Sequence, residues 1–281
     1  MRNQGVDGTI AYKDQVGDFS YEVRANFTVT RNKVLDYDEP NNQLPYKLKE
    51  GKSLDYTEGY ICLGFFRDST DILNSPRQMD NVRPGDLKYK DVNGDGVINQ
   101  DDMVAIGNSA VPRIQYGFAG SFSYKNWDLS LFFRGSGGVD FFYGGRGYAP
   151  FLNEKEGNVL SIVNDQSNRW TPAWYSGDPS TENPNARFPR LSYGSNMNNY
   201  VNSTHWLANG AFLRLKTVEI GYRLPTTWAR KLAMSSFRLS LIADNLHVWD
   251  KVKLWDPEQA SSNGSVYPLT RSITLNLQMA F

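Results

Sequence analysis

Residues 91–102 read DVNGDGVINQDD, which puts Asp91, Asn93, Asp95 and Asp102 at positions 1, 3, 5 and 12 of a calcium-loop pattern. Calcium takes about six to eight oxygens at about 2.3–2.6 Å. Side chains two residues apart supply three of them, the Val97 carbonyl and Asn99 add more, and Gly96 permits the sharp turn. Asp102 stands where a bidentate Glu is usual and no long amphipathic helix flanks the loop, so the expected affinity is modest. The same residues also suit a cluster of Asx turns, in which Asp and Asn cap their own backbone without an ion.

A second group of candidates lies in the long connection 141–210, where Trp170, Trp174, Tyr175 and Trp206 stand among Asn, Gly and Pro, with Tyr143, Tyr148, Tyr193 and Tyr200 nearby. Flat rings beside amides can stack on sugars and hydrogen-bond their hydroxyls. Aromatics in such a loop also serve to pack it onto its neighbours and onto a partner protein, and this plainer role is the favoured one. No nucleophile, base and orienting group recur together, and neither a nucleophile elbow, a zinc-protease helix nor a phosphate loop occurs. The run GSGGVDFFYGG is glycine-rich but leads from a strand into loop, so it is no nucleotide site. The expectation is a protein that is not an enzyme and has no catalytic residue.

Composition narrows the partners. The 30 basic and 30 acidic side chains cancel, which removes the electrostatic reason to expect nucleic acid. The single cysteine, Cys62, has no internal disulfide partner, and the two histidines, His205 and His247, leave little material for a zinc site. No stretch reaches the roughly 18 apolar residues of a membrane helix, yet 14% of the chain is aromatic.

The elements that must position these groups announce themselves by alternation. In the last stretch, RSITLNLQMAF, Ile273, Leu275, Leu277, Met279 and Phe281 share one parity and Thr274, Asn276, Gln278 and Ala280 the other. Strand side chains point alternately to opposite faces, so one face is wholly apolar. The pattern recurs in RIQYGFAGSFSYK, with Ile114, Tyr116, Phe118, Phe122 and Tyr124, and after the break Lys125-Asn126 in WDLSLFFRG, with Trp127, Leu129, Leu131 and Phe133. It recurs again in DFSYEVRANFTVTRN and in FRLSLIAD, where Ile242 interrupts the polar side. In AFLRLKTVEIGYRLP the parity switches between Leu215 and Val218, which calls for a β-bulge near Lys216 and Thr217.

The map has about seven long strands, near 7–13, 18–33, 113–125, 127–140, 211–223, 237–250 and 270–281. Short links (DQVG, Lys125-Asn126, and PTTWARKLAMSS with a helical turn at 228–232) alternate with long ones at 34–112, 141–210 and 251–269. Successive links of an antiparallel meander lie at opposite ends, so short and long connections segregate. Strands of about ten residues, short turns at one end and long loops at the other are the mark of an outer-membrane β-barrel. The reading is an all-β antiparallel transmembrane barrel segment in the bacterial outer membrane. Tyr116, Phe118, Phe122, Leu129, Leu131, Leu277 and Phe281 face lipid, and Arg24, Arg113, Arg134 and Arg238 face the lumen. Seven strands cannot close a useful pore, and an open edge in hydrocarbon leaves backbone groups unpaired, so the chain is expected to be part of a larger barrel.

Particular words of the chain then carry a resemblance. MRNQGVDGTIAY, GDFSYEVRANFTVTRNKV, PGDLKYKDVNGDGVINQDD, VAIGN, YGFAGSFSYKNWDLSLFFRGSGGVD, NRWTP, NPNARFPRLS, FLRLKTVEIGYRLP and LIADNLHVW resemble, in order, the carboxyl-terminal portion of the SusC/RagA family of TonB-dependent outer-membrane transporters of Bacteroidetes. The match covers nearly all of residues 1–281. It implies a large plugged barrel of roughly 22 strands that imports oligosaccharides or peptides. It also implies a SusD-like surface lipoprotein over the external mouth and a TonB complex acting through an N-terminal plug absent from this sequence. The competing class is a secreted, calcium-stabilised β-protein that binds glycans without transport.

Overall fold

The computed structural model describes residues 1–40, 43–145, 148–151, 159–194, 196–262 and 266–281. Seven strands form one antiparallel sheet in chain order: β1 (Arg2–Val16), β2 (Phe19–Lys33), β3 (Ile114–Tyr124), β4 (Trp127–Gly137), β5 (Phe212–Arg223), β6 (Ser236–Asp250) and β7 (Ser272–Ala280). All seven expected strands are present. β1 and β7 are the edges, and neither pairs with a further strand among the described residues, so the sheet is open. This is an arc of a barrel wall, with few helices and none among the described residues apolar and long enough to cross a membrane.

The register accounts for the alternation. Phe118 lies opposite Ala25 on β2 and Phe133 on β4, and Leu131 lies opposite Gly120 and Val218. Leu239 lies opposite Tyr222 and Leu277. Directly opposed residues share a face, so these apolar positions make one surface across all seven strands. No second layer covers it among the described residues: Ile10, Val23, Phe27, Phe118, Leu241, Leu275 and Leu277 are all exposed, Leu277 by 50% and Phe281 by 89%. Tyr116, Phe122, Leu129 and Leu131 are half-buried among neighbours on the same face. A soluble monomer rarely exposes a contiguous apolar patch beyond a few hundred Å². The opposite face carries Arg24, Gln115, Asp128, Ser130, Arg134, Glu219, Arg238 and Asn276. There Arg238 of β6 bridges Asp128 of β4, with Nε to Oδ1 at 3.2 Å, and Glu219 of β5 at 2.7 Å. Arg113 precedes β3 and belongs to the loop margin instead.

Two local details have clear causes. The first hairpin turns at Gly17 and Asp18, sharing only the last residue of the expected DQVG turn, because Gly17 adopts φ +61° and lets β1 continue through Asp14, Gln15 and Val16. Between Leu215 and Thr217 the register of β5 shifts against both neighbours: Lys216 is the extra residue of a bulge against β4, while against β6 the extra residue lies on β6, in the stretch 245–246; Lys216 Nζ donates to Asn245 Oδ1 at 2.8 Å. That bulge is why Leu213 and Leu215 face the same side as Val218, Ile220 and Tyr222.

The hydrophobic core lies elsewhere, in the long connections. Tyr60, Phe65, Leu87, Tyr89 and Ile98 from 34–112 pack with Tyr148, Val163, Trp170, Phe188 and Trp206 from 138–211. The short links, including the helix Thr226–Lys231, gather at the other end of the sheet.

The face assignment has a direct test. On the intact barrel refolded in bilayers, Leu131→Arg is expected to lower stability by about 2–4 kcal/mol, whereas Ser130→Arg, one residue away and facing the lumen, changes it little. Urea titration of both variants measures the difference, and equal costs would mean the faces are assigned wrongly.

Candidate functional site

The acidic loop forms a chain of side-chain caps. Asp91 accepts from the Gly94 and Gly96 N–H at 2.7 and 2.8 Å, Asn93 Oδ1 from Asp95 N at 3.1 Å, and Asp95 Oδ1 from Val97 N at 2.8 Å. Gly94 and Gly96 take φ of +77° and +86°, a conformation glycine adopts without strain. Asp102 is fully buried and clamps the two ends of the loop, accepting from Val92 N at 2.7 Å and Asn99 N at 2.9 Å. The Val97 N–H contact holds the Asp95 carboxyl below the usual carboxylate range. Among the described residues no group of three or more His, Cys, Asp and Glu side chains is gathered as a ligand set. Asp91, Asn93, Asp95 and Asp102 thus lie in one short loop in the expected order, with their oxygens turned to backbone N–H groups.

The aromatic candidates separate into two pairs. Trp170 and Trp206 are buried in the loop core, at 4% and 2% exposure. Gly85 passes directly over the Trp170 ring, where a Cβ would stand 2.1 Å from Cε3, and Trp206 Nε1 donates to Asn199 O at 2.7 Å. No ring face of either is left for a ligand, so their expected ligand contact gives way to packing. Trp174 and Tyr175 lie on the short helix Ala173–Ser176, 85% and 63% exposed and edge to face at 6.0 Å.

Polar groups missed by the sequence reading fasten this loop core. Asp86 is fully buried and is held by Arg83 N, by Arg190 Nη2 at 3.0 Å and by Asn199 Nδ2 at 2.8 Å. Asn199 Oδ1 in turn accepts from Leu87 N, and Asn198 Nδ2 donates to Leu87 O, so residues 83–90 and 190–199 are laced together. Nothing in the local spacing of Asp86 pairs it with residues more than a hundred positions away. Burial pushes the Cys62 thiol up to about 11, although a hydrogen bond with Gly64 opposes it; burial likewise pushes Tyr148 up to about 12 and pulls His205 down. These groups act as packing residues in their ordinary neutral forms.

Comparison with known proteins follows from this geometry. No family model matches the chain. It is 30% identical over 287 aligned positions to TonB-dependent receptor P26 of Formosa agariphila, covering 94% of this chain and 27% of that protein. It is 23% identical to TonB-dependent receptor SusC of Bacteroides thetaiotaomicron, covering 100% of this chain and 26% of that one. Among solved structures, the RagAB peptide transporter superposes with a TM-score of 0.70 at 22% identity, over 99% of this chain and 29% of that chain. The chain therefore spans between a quarter and a third of the length of these relatives.

Burial separates the two tryptophan pairs experimentally. Trp170→Ala is expected to cost about 3–5 kcal/mol of loop stability, whereas Trp174→Ala stays within about 0.5 kcal/mol. Loop melting followed by tryptophan fluorescence checks this.

Proposed function

We infer that this chain, which belongs with the SusC-like TonB-dependent receptors, is one wall of an outer-membrane import barrel. The carrying observation is the seven-strand sheet with one uncovered apolar face and one charged face, its long loops folded into a cap at a single end. Lipid covers the first face, the second lines the solute path, and the cap narrows the outer mouth. Every backbone group in hydrocarbon needs a partner, so β1 and β7 are completed by further strands. The cargo is an oligosaccharide or a peptide; relatives that superpose on this chain include a peptide transporter. A SusD-like lipoprotein seats on the loop cap, where Trp174 and Tyr175 supply exposed aromatic area of the kind interfaces favour, and TonB supplies the energy through a plug.

Fractionation and uptake test this reading. The full-length product is expected in the detergent-requiring outer-membrane fraction, and its deletion is expected to abolish uptake of one class of oligomer. Release of the protein into the medium would instead favour a secreted glycan-binding protein.

We propose in addition that calcium is held by Asp91, Asn93, Asp95, Asn99, Asp102 and the Val97 carbonyl. The order of donors supports this, as does the local charge: Asp91, Asp95, Asp101 and Asp102 fall within twelve residues, and Lys47, which bonds Asp101 and Gln100 O, is the one cation in an ion pair with them among the described residues. Calcium is expected to slow proteolytic cleavage within 91–102. Equal cleavage in calcium and in chelator would leave the loop as an ion-free set of Asx turns.

A further inference from the structure

On the polar face, where the outer ends of β3, β4 and β5 meet the loops, lies a cavity of about 250 Å³. Gln115, Arg134, Ser136 and Glu258 give it polar walls, and Phe141 and Phe212 an apolar one. The register builds it: Gln115 lies opposite Ser136, Ser136 opposite Phe212, and Arg134 opposite Arg214. Alternation puts Arg134 and Ser136 on the same face, two residues apart.

The charges there are unevenly satisfied. Arg214, with 4% of its side chain exposed, is paired with two carboxylates: Nη2 reaches both Asp256 oxygens at 2.6 and 2.7 Å, and Nε reaches Glu258 Oε1 at 2.8 Å. Arg134 meets only the other oxygen of Glu258, at 3.3 Å, and donates no hydrogen bond to any described residue, while 52% of its side chain stays exposed. Ser136 is 7% exposed and its buried Oγ has no hydrogen-bond partner among the described residues. A buried hydroxyl without a partner is costly, and native structures supply one. The Gln115 amide likewise bonds no described residue. The cavity thus offers three donors, one of them a guanidinium, beside aromatic rings.

We propose that this cavity is a subsite for a carboxylate of the imported ligand. Arg134 takes the carboxylate through its planar N–H pair, Ser136 and Gln115 donate to the remaining lone pairs, and Phe141 and Phe212 pack the body that bears it. Glu258 meets Arg134 through one oxygen and leaves its remaining N–H donors to the ligand. The carboxylate comes from a peptide or from a uronic acid. The subsite rests on the importer reading, because it places the cavity on the solute path.

The test uses the intact receptor purified in detergent, with two probe pairs: alanyl-alanyl-phenylalanine as free acid and as amide, and digalacturonate and its methyl ester. Binding of one free acid is expected to exceed that of its neutral partner by about tenfold or more, as one charge-assisted pair would give. Arg134→Gln is expected to erase that preference and Ser136→Ala to lower it several-fold, whereas Arg24→Gln, on the same face but away from the cavity, leaves it intact. Which acid binds identifies the source. If neither acid is preferred, or if the preference survives in both Arg134→Gln and Ser136→Ala, the subsite is overturned. Because Ser136→Ala leaves every charge in place, it also serves should Arg134→Gln fail to fold. Failure of the acid preference in a receptor that is recovered from the outer membrane removes the subsite and keeps the importer. Acid preference in a receptor released to the medium does the reverse.

Discussion

Main-chain hydrogen bonding in a medium without water is the constraint from which the rest follows. A backbone N–H or C=O left unpaired in hydrocarbon costs several kcal/mol, so strands that cross it must pair with both neighbours. Pairing fixes the period of two, and the period of two fixes composition: what faces lipid must be apolar at every second residue over the whole width of the sheet. The β5 bulge shows how strictly this is kept. One extra residue, Lys216, would turn the rest of the strand inside out; instead the register shifts against both neighbours at once, and the Lys216 ammonium is met by Asn245.

A sheet whose apolar face is given to lipid has no inner layer on which to build a core, and here the core has moved into the loops. That relocation explains why the loops are long. They bury Tyr89, Phe188 and Leu87 completely and lace residues 83–90 to 190–199 through Asp86, Asn198 and Asn199. A buried carboxylate is strongly destabilising if it loses its partner, so any loop arrangement that separates Asp86 from Arg190 is penalised. A rigid cap of this kind holds Trp174 and Tyr175 outward and keeps the loop residues Phe141 and Glu258 in place over the sheet.

How much of this was legible in the sequence depended on whether a local period carried it. The strand faces were legible to the residue, down to the Ile242 interruption, which lands opposite Glu219 and Thr274 on the polar side. The outer half of β1 was not, because Arg2, Asn3, Gln4 and Gly5 project beyond the apolar band and carry no alternation. The loop core escaped for a different reason: its partners lie about a hundred residues apart with no repeat between them, so Trp170 and Trp174, four positions apart in one sequence word, end in opposite environments. The order of oxygens in the acidic loop was legible, but the competition between backbone N–H groups and an ion for those oxygens is settled by energies that spacing does not encode.

The luminal cavity shows the same division. Alternation assigns Arg134 to the polar face, yet its partial freedom arises only because Arg214, its cross-strand neighbour, has drawn Asp256 and half of Glu258 to itself. Two guanidiniums side by side repel, and the acidic turn at 256–258 is what allows both to remain on the wall. Arg214 is buried and takes the bidentate partner; Arg134, nearer the opening, keeps N–H donors to spare.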